Sequence, residues 1–366
     1  MIRRLFAWLF VLVVLTAAAG TAAAWWAWQQ LHEPYAGWAG GAVTLTVEPG
    51  TAAHTILHRL ESEGVLADAE LTRLFLIHRL GDPPLHAGDY RFDRPQTVPE
   101  VLDVLIRGDV VTYPVTIVEG LTALETAQAI AAAGFSDVGS LLAEMNDPAR
   151  IAALDPQAED LEGYLYPDTY TFARGTEAPD IVDKLVDTFR KRWTREVEPL
   201  LVDGEPPIEG VRDLGPLRAV VILASIIEKE SQLDEERAVV ASVYTNRLRI
   251  GMGLYADPTV IFALKRMGTW DGNLQRDDLR LDDPYNTYVV AGLPPGPICS
   301  PSVASLIAAV SPADTEYLYF VSRNDGSHVF ARTLREHNRN VDRWQKRYWR
   351  ERWAKERALR QGDGST

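Results

Sequence analysis

The chain is 366 residues long with 46% hydrophobic and 24% charged residues, which allows two or three domains and a core large enough to fold unaided. Its formal net charge of −14, with no basic stripe in the central region, argues against general nucleic-acid binding. Cys299 is the only cysteine, so neither an intramolecular disulfide nor a cysteine-based metal site can form, and the redox compartment stays open.

Arg3 and Arg4 precede an uncharged run that is strongly apolar from Leu5 to Trp28. Those 24 residues make about 36 Å of helix, enough to cross a hydrocarbon layer of about 30 Å with some tilt. Trp25, Trp26 and Trp28 stand where an interfacial aromatic belt would lie, and the arginines would stay cytoplasmic. Ala22-Ala23-Ala24 offers a peptidase the small residues of a signal-peptide cleavage site, but the length of the run and its tryptophans favour a retained anchor. Either reading exports the rest of the chain. Glu33 to Gly41 reads as a linker.

Beyond it an internal repeat recurs at 70 to 80 residues. The first copy runs Val47-Glu48-Pro49-Gly50, a helix to Glu63-Gly64, a second helix Glu70–Leu80, Gly88-Asp89-Tyr90-Arg91-Phe92 and Pro99–Ile106. The second runs Val118-Glu119-Gly120, a helix to Ala133-Gly134, a second helix Val138–Met145, Tyr170-Thr171-Phe172 and Pro179–Thr188. Gly50 and Gly64 match Gly120 and Gly134 at an offset of 70, whereas Tyr90, Phe92 and Pro99 match Tyr170, Phe172 and Pro179 at 80. An insertion around Ala153–Glu162 accounts for the change. Each copy is predicted as strand, helix, helix, strand, helix.

Pro206-Pro207 and Gly210 to Pro216 form a second break. Helices follow at Leu217–Ser231, Glu235–Ile250 and Pro258–Arg266, then a loop-rich stretch from Met267 to Pro301. Ser302–Val310 is helical, Tyr317–Ser322 and His328–Ala331 form a hairpin across Asn324-Asp325-Gly326, and Thr333-x-x-Glu336 opens the last helix as a capping box.

The first of these helices carries the chemistry. Ile222, Leu223, Ile226 and Ile227 form one apolar stripe of a 3.6-residue period, and Glu230 is the next position on it. Glu228 lies about 200° around the same helix, so the two acids cannot share one environment. An apolar setting disfavours the charged carboxylate and suits it to act as a general acid near neutral pH. Moving a glutamate from about 4.3 to about 6.5 corresponds to roughly 3 kcal/mol, within reach of partial burial. The competing reading has Glu230 capping a core helix and pointing to water.

The stretch ASIIEKES, the helix ERAVVASVYTNRLRIGM, Tyr255-Ala256-Asp257-Pro258-Thr259-Val260, Tyr285-Asn286-Thr287-Tyr288, Gly292-Leu293-Pro294-Pro295-Gly296-Pro297-Ile298 and the closing Tyr317-Leu318-Tyr319-Phe320-Val321 with His328 and Phe330 together resemble the endolytic murein transglycosylases, the MltG or YceG-like family. The resemblance covers essentially the whole chain. It implies a LysM-like module in the exported N-terminal part and a C-terminal domain that cuts peptidoglycan glycan strands, with the second glutamate of the EKE triplet, here Glu230, as the acid. One carboxyl group suffices for such a reaction. It protonates the glycosidic oxygen between N-acetylmuramic acid and N-acetylglucosamine, then takes the proton from the muramic C6 hydroxyl as a 1,6-anhydro ring closes. Paired-carboxylate glycosidases need a second acid, for which Asp257 is the candidate; otherwise Asp257 followed by Pro258 is a helix start.

Tyr285, Asn286 and Thr287, with Tyr288, offer polar groups and aromatic faces to a sugar, Asn286 as a substrate-binding or oxocarbenium-stabilising side chain or else as a turn former. Gln232 is a further candidate contact, and Gly292–Pro297 would stiffen a cleft wall. His54 and His58 have metal-compatible spacing without a third ligand and read as a solvated helix face, and His328 reads as structural within its hairpin. From Arg343 to Arg360 eight Lys and Arg interleave with Trp344, Trp349 and Trp353, a solvated terminal helix or a contact with anionic lipid or wall polymer.

The resulting expectation is an α+β protein of six parts: start and transmembrane anchor at 1–31, linker at 32–41, LysM-like module at 42–112, second related module at 113–205, catalytic domain at 206–341 and basic tail at 342–366. It would be a single-pass inner-membrane lyase with its bulk periplasmic. It would need no metal or organic cofactor, bind glycan strands but no nucleic acid, and end nascent strands beside peptidoglycan synthases. A muramidase-type hydrolase using Glu230 with Asp257, and a non-catalytic wall-binding scaffold, are the alternatives.

Overall fold

The computed structural model describes residues 2–208 and 214–350, with side chains from Phe6 onward. The Gly210–Arg212 part of the second break and the tail beyond Arg350, with Trp353 and Arg360, lie outside the described residues. Helices and strands are mixed, and by compactness the chain divides into two units. One holds Met1–Pro114 with Thr171–Gly175; the other holds Val115–Tyr170 and the chain from Thr176 onward.

Helix α1 runs Ile2–His32 and is long and apolar enough over Phe6–His32 to cross a membrane. Its side chains are almost all exposed, with Phe6, Trp8, Leu12, Trp25, Trp26 and Trp28 each more than half open, as suits an apolar surrounding rather than water. Strand β1 (Val43–Val47), α2 (Ala53–Ser62), α3 (Ala69–Leu80), β2 (Gly88–Phe92) and α4 (Val98–Arg107) follow in order. β1 and β2 pair antiparallel, Leu45 opposite Tyr90, and their inward residues meet Ile56, Leu57, Leu60, Leu76, Val101 and Leu105 in one core. His58, of the histidine pair, faces Glu61 and Glu70 on the surface.

The same succession then recurs: β3 (Thr112–Thr116), α5 (Ala123–Ala132), α6 (Val138–Met145), β4 (Thr169–Ala173) and α7 (Ala178–Arg192). The copies agree in detail. Gly50 and Gly120 both have φ near +77°, at 78° and 75°, and Gly64 and Gly134 end their helices in the same left-handed region. The Tyr90 hydroxyl donates to His86 O at 2.7 Å, and the Tyr170 hydroxyl donates to Tyr166 O at 2.6 Å, the same four-residue reach at the same offset of 80. The extra residues at Pro148–Glu162 form a short 3-10 turn and an irregular loop.

In the second unit α8 (Pro216–Glu230) is the central element, beside α9 (Asp234–Arg249) and α11 (Val303–Val310), with α10 (Asp257–Met267) between them in sequence. Strands β5 (Tyr319–Ser322) and β6 (His328–Ala331) pair as a hairpin, and α12 (Leu334–Val341) passes into a wide π-type turn at Asp342–Arg347. The capping box at Thr333 and Glu336 is formed.

The single apolar stripe expected on α8 understates its burial: every residue from Leu217 to Ile227 is buried, Arg218 and Ser225 included. A helix surrounded by core has no solvent face. Arg218 is tolerated there because it donates to Asp155 at 2.7 Å and to Pro295 O at 2.6 Å, while Asp155 also accepts the Tyr164 hydroxyl at 2.5 Å. That network ties the second copy and the Pro-rich loop at Gly292–Pro297 to the helix.

Candidate active site

The EKE triplet at the end of α8 sends its three side chains to three different tasks. Glu228 accepts from Ser302 N at 2.9 Å and Ser302 Oγ at 2.6 Å, and pairs with Arg237 at 3.2 Å, so it anchors the start of α11. Lys229 donates to Gly120 O at 3.2 Å; Gly120 N in turn donates to Ser300 O, and Ser300 N to Leu121 O. Glu230, the last helical residue, is half-buried and opens into a cavity of about 560 Å³.

The wall around Glu230 is aromatic and cationic. Tyr244, buried in α9, donates its hydroxyl to Glu230 Oε1 at 3.2 Å. One turn on, Arg247 is 7% exposed and held by Leu318 O at 2.7 Å and by Leu254 O. Its guanidinium lies 5.7–5.9 Å from the ring centroids of Tyr244, Tyr255 and Tyr319. Asp257, at the first turn of α10, enters the same cavity and accepts the Tyr288 hydroxyl at 2.5 Å. Removal from water, then the neighbouring Asp257 charge, push the Glu230 carboxyl up to about 7, against the opposing pull of the Tyr244 hydroxyl and Arg247. Both halves of the titration are thus populated near neutrality, the condition a group needs to give and take a proton in turn.

Tyr255 rims the cavity with φ of +48°, a conformation an aromatic residue seldom adopts. Thr287 holds it there: its carbonyl accepts from Tyr255 N at 3.3 Å, and its hydroxyl accepts from Ala256 N at 3.0 Å. Tyr255 thereby meets Tyr288 with ring centroids 5.5 Å apart and planes tilted by 53°.

These contacts revise the roles expected of several residues. Asn286 is fully buried, donating to Leu279 O and Leu281 O and accepting from Tyr288 N, so its amide is engaged by its own turn. Thr287 is likewise buried and acts on backbone. Tyr285 lies outside the cavity lining, its ring tilted by 53° against Phe262 at 5.0 Å and covered by Arg266. Gln232 is exposed and rests against the hairpin turn at Gly326, where an added Cβ would stand 2.9 Å from its Oε1. None of the four lines the Glu230 cavity. Asp257 does, and its side chain does not cap α10: the cap position is Ala256. Tyr244, Arg247, Tyr319 and His337, all at the site, were not singled out in the sequence. His328 also reaches it, braced by Glu236, which accepts from His328 N at 3.0 Å and meets Nδ1 at 2.7 Å.

A family model described as the YceG-like family matches residues 45–343, which span both repeat copies and every residue of this cavity. The chain belongs to the YceG-like family. Among its relatives, the endolytic murein transglycosylase of Bacillus subtilis is 29% identical over 318 residues, covering 82% of this chain and 84% of that one. The endolytic murein transglycosylase of Streptococcus pneumoniae is 25% identical over 330 residues; the alignment spans 82% of this chain but 58% of the longer pneumococcal protein. A crystal structure of a YceG-like protein from Listeria monocytogenes superposes with a TM-score of 0.51 at 29% identity, covering 82% of this chain and 98% of that one.

Proposed function

We propose that this YceG-like chain is an endolytic peptidoglycan lytic transglycosylase, a lyase that cuts the bond between N-acetylmuramic acid and N-acetylglucosamine within glycan strands. The observation that carries the reading is a glutamate poised at about 7 inside an aromatic-walled cavity, in a chain whose relatives bear that name. Glu230 acts first as acid on the glycosidic oxygen. Its carboxylate then accepts the proton of the muramic C6 hydroxyl while that oxygen attacks C1, leaving a 1,6-anhydro end without consuming water. Arg247 steadies the carboxylate left when Glu230 gives up its proton, and the faces of the tyrosine rings offer electron density to the positive charge that develops on the sugar.

The remaining parts of the proposal concern placement. α1 anchors the protein in the inner membrane with its bulk on the outer side, supported by its length, apolarity and flanking arginines. The two repeated blocks serve as LysM-like wall-binding modules, a reading supported by their shared element order. An anchored enzyme so placed meets strands as the synthases extrude them, and cutting there ends elongation.

The second reading is a hydrolase in which Asp257 activates water. It is favoured by one observation: Asp257 shares the Glu230 cavity instead of capping its helix. Mass spectrometry of digested sacculi separates the two. Anhydro ends support the transglycosylase; reducing muramic ends refute it.

A further inference from the structure

The chain is strongly acidic overall, yet one face of it is not. Arg335, Arg339, Arg343 and Arg347 recur at four-residue spacing along α12 and the turn that follows. All four are exposed, and together they line an open concavity of about 1120 Å³. Their acidic neighbours are few. Glu336 accepts from Arg332 N and Thr333 N at its own helix start and feels the Arg339 charge from beyond ion-pair distance, and Asp342 pairs with Arg347 at 3.0 Å. Among the described residues Arg335 and Arg339 have no ion pair, and Arg343 lies over the Trp344 ring at 5.2 Å.

This concavity adjoins the active site. Leu334, an exposed leucine at the first turn of α12, lines both the arginine concavity and the Glu230 cavity. Three residues on, His337 lines the Glu230 cavity while stacking at 5.2 Å on Tyr319. One helix therefore presents its histidine side to the acid and its arginine side to the continuation of the same groove. A polymer leaving the cavity over Leu334 meets a row of cations with a repeat of about 6 Å along the axis. Uncharged glycan gives such a row nothing to bind. Carboxylates borne on the polymer do, and guanidinium groups match carboxylates in geometry as well as charge.

We propose that the Arg335, Arg339, Arg343 and Arg347 row is a subsite for the free carboxylates of the peptide side chains carried by the glycan strand next to the bond being cut. The inference deepens the proposed function and rests on it for the identity of the polymer. It makes the enzyme a reader of peptide-substituted strands, with the discrimination expressed in binding rather than in chemistry.

The test uses the full chain in neutral detergent, comparing wild type with Arg335→Gln/Arg339→Gln/Arg343→Gln on two polymers: strands with intact peptides, and the same strands stripped of peptides by an amidase, with the lactyl carboxylates so freed then capped as neutral amides. The expected result is a roughly tenfold rise in KM on peptide-bearing strands with kcat unchanged, since exposed charge pairs each contribute a modest factor. KM on stripped strands should be the same for both proteins, and the wild-type advantage should fade as salt is raised. An equal KM rise on both polymers, or none on either, overturns the proposal. So does a difference that arises only after reconstitution into anionic vesicles, which would assign the row to lipid headgroups. Binding of each strand type by sedimentation is measured in parallel. If wild type cuts neither polymer yet binds peptide-bearing strands more tightly than the triple variant does, the enzymatic reading fails while the subsite stands.

Discussion

Replacing Glu230 by glutamine should destroy activity and stabilise the protein. The wild-type carboxyl titrates at about 7 in the folded chain against 4.5 in the free side chain, so the fold holds the protonated form more tightly than the unfolded chain does. A raised value means the contribution to stability is fully present below pH 4.5 and is lost as pH rises through about 7. The interval corresponds to about 3 kcal/mol at alkaline pH, an upper figure because Glu230 keeps some contact with solvent. Glutamine keeps the shape and the oxygen that accepts the Tyr244 hydroxyl but never ionises. Thermal unfolding of both full-length proteins in detergent, followed by near-UV circular dichroism, should therefore coincide near pH 4. At pH 8.5 the variant should melt roughly 5–10 °C higher, using about 2–4 °C per kcal/mol for a unit of this size. Its cleavage of sacculi should fall by roughly two to four orders of magnitude. Identical melting curves at every pH, or a less stable variant at pH 8.5, would refute the claim that the acid sits in a poorly hydrated site.

Further outcomes follow from the same contacts. The alkaline limb of kcat/KM should fall tenfold per pH unit above about pH 7, because only protonated Glu230 can donate. Asp257→Asn removes the charge that raises Glu230 and should move that limb to lower pH, whereas Tyr244→Phe removes an opposing hydrogen bond and should move it higher; pH–rate profiles of the two variants check both signs. Asp155→Asn leaves the Arg218 guanidinium buried without its counter-ion and should cost roughly 3–5 kcal/mol in urea titrations. Thr287→Val should lower kcat without abolishing it, by releasing the left-handed Tyr255 loop; a loss as large as that of Glu230→Gln would contradict a purely positioning role.

Where side chains alternate or recur with a helical period, the sequence was informative. The two strand-helix-helix-strand-helix blocks could be read because glycines needing positive φ punctuate both at a common offset, and because an aromatic pair marks the same strand in each. That Glu230 stands in a poorly hydrated place could be read because it continues a run of isoleucines. The loop from Met267 to Pro301 gave no such handle. Nothing in Tyr285-Asn286-Thr287-Tyr288 says which of four consecutive polar or aromatic side chains turns inward, and the outcome follows from backbone groups, the Leu279 and Leu281 carbonyls and the Tyr288 amide, that take up the Asn286 side chain. Arg247 escaped notice for a related reason. It follows acids and precedes a glycine at a helix end, where arginine usually complements the helix dipole in solvent, yet here it is buried by carbonyls contributed from Leu254 and Leu318.

The stitching of Lys229 to Gly120, with Ser300 bridging back to Leu121, has a practical corollary for anyone dissecting this enzyme. A shortened version begun at Pro206 would strip Arg218 of Asp155 and leave the helix that presents the acid missing one of its walls, so it is expected to express as aggregate. A shortened enzyme that still works is expected to start upstream of Val115 and keep the second repeated block, on which the end of α8 rests.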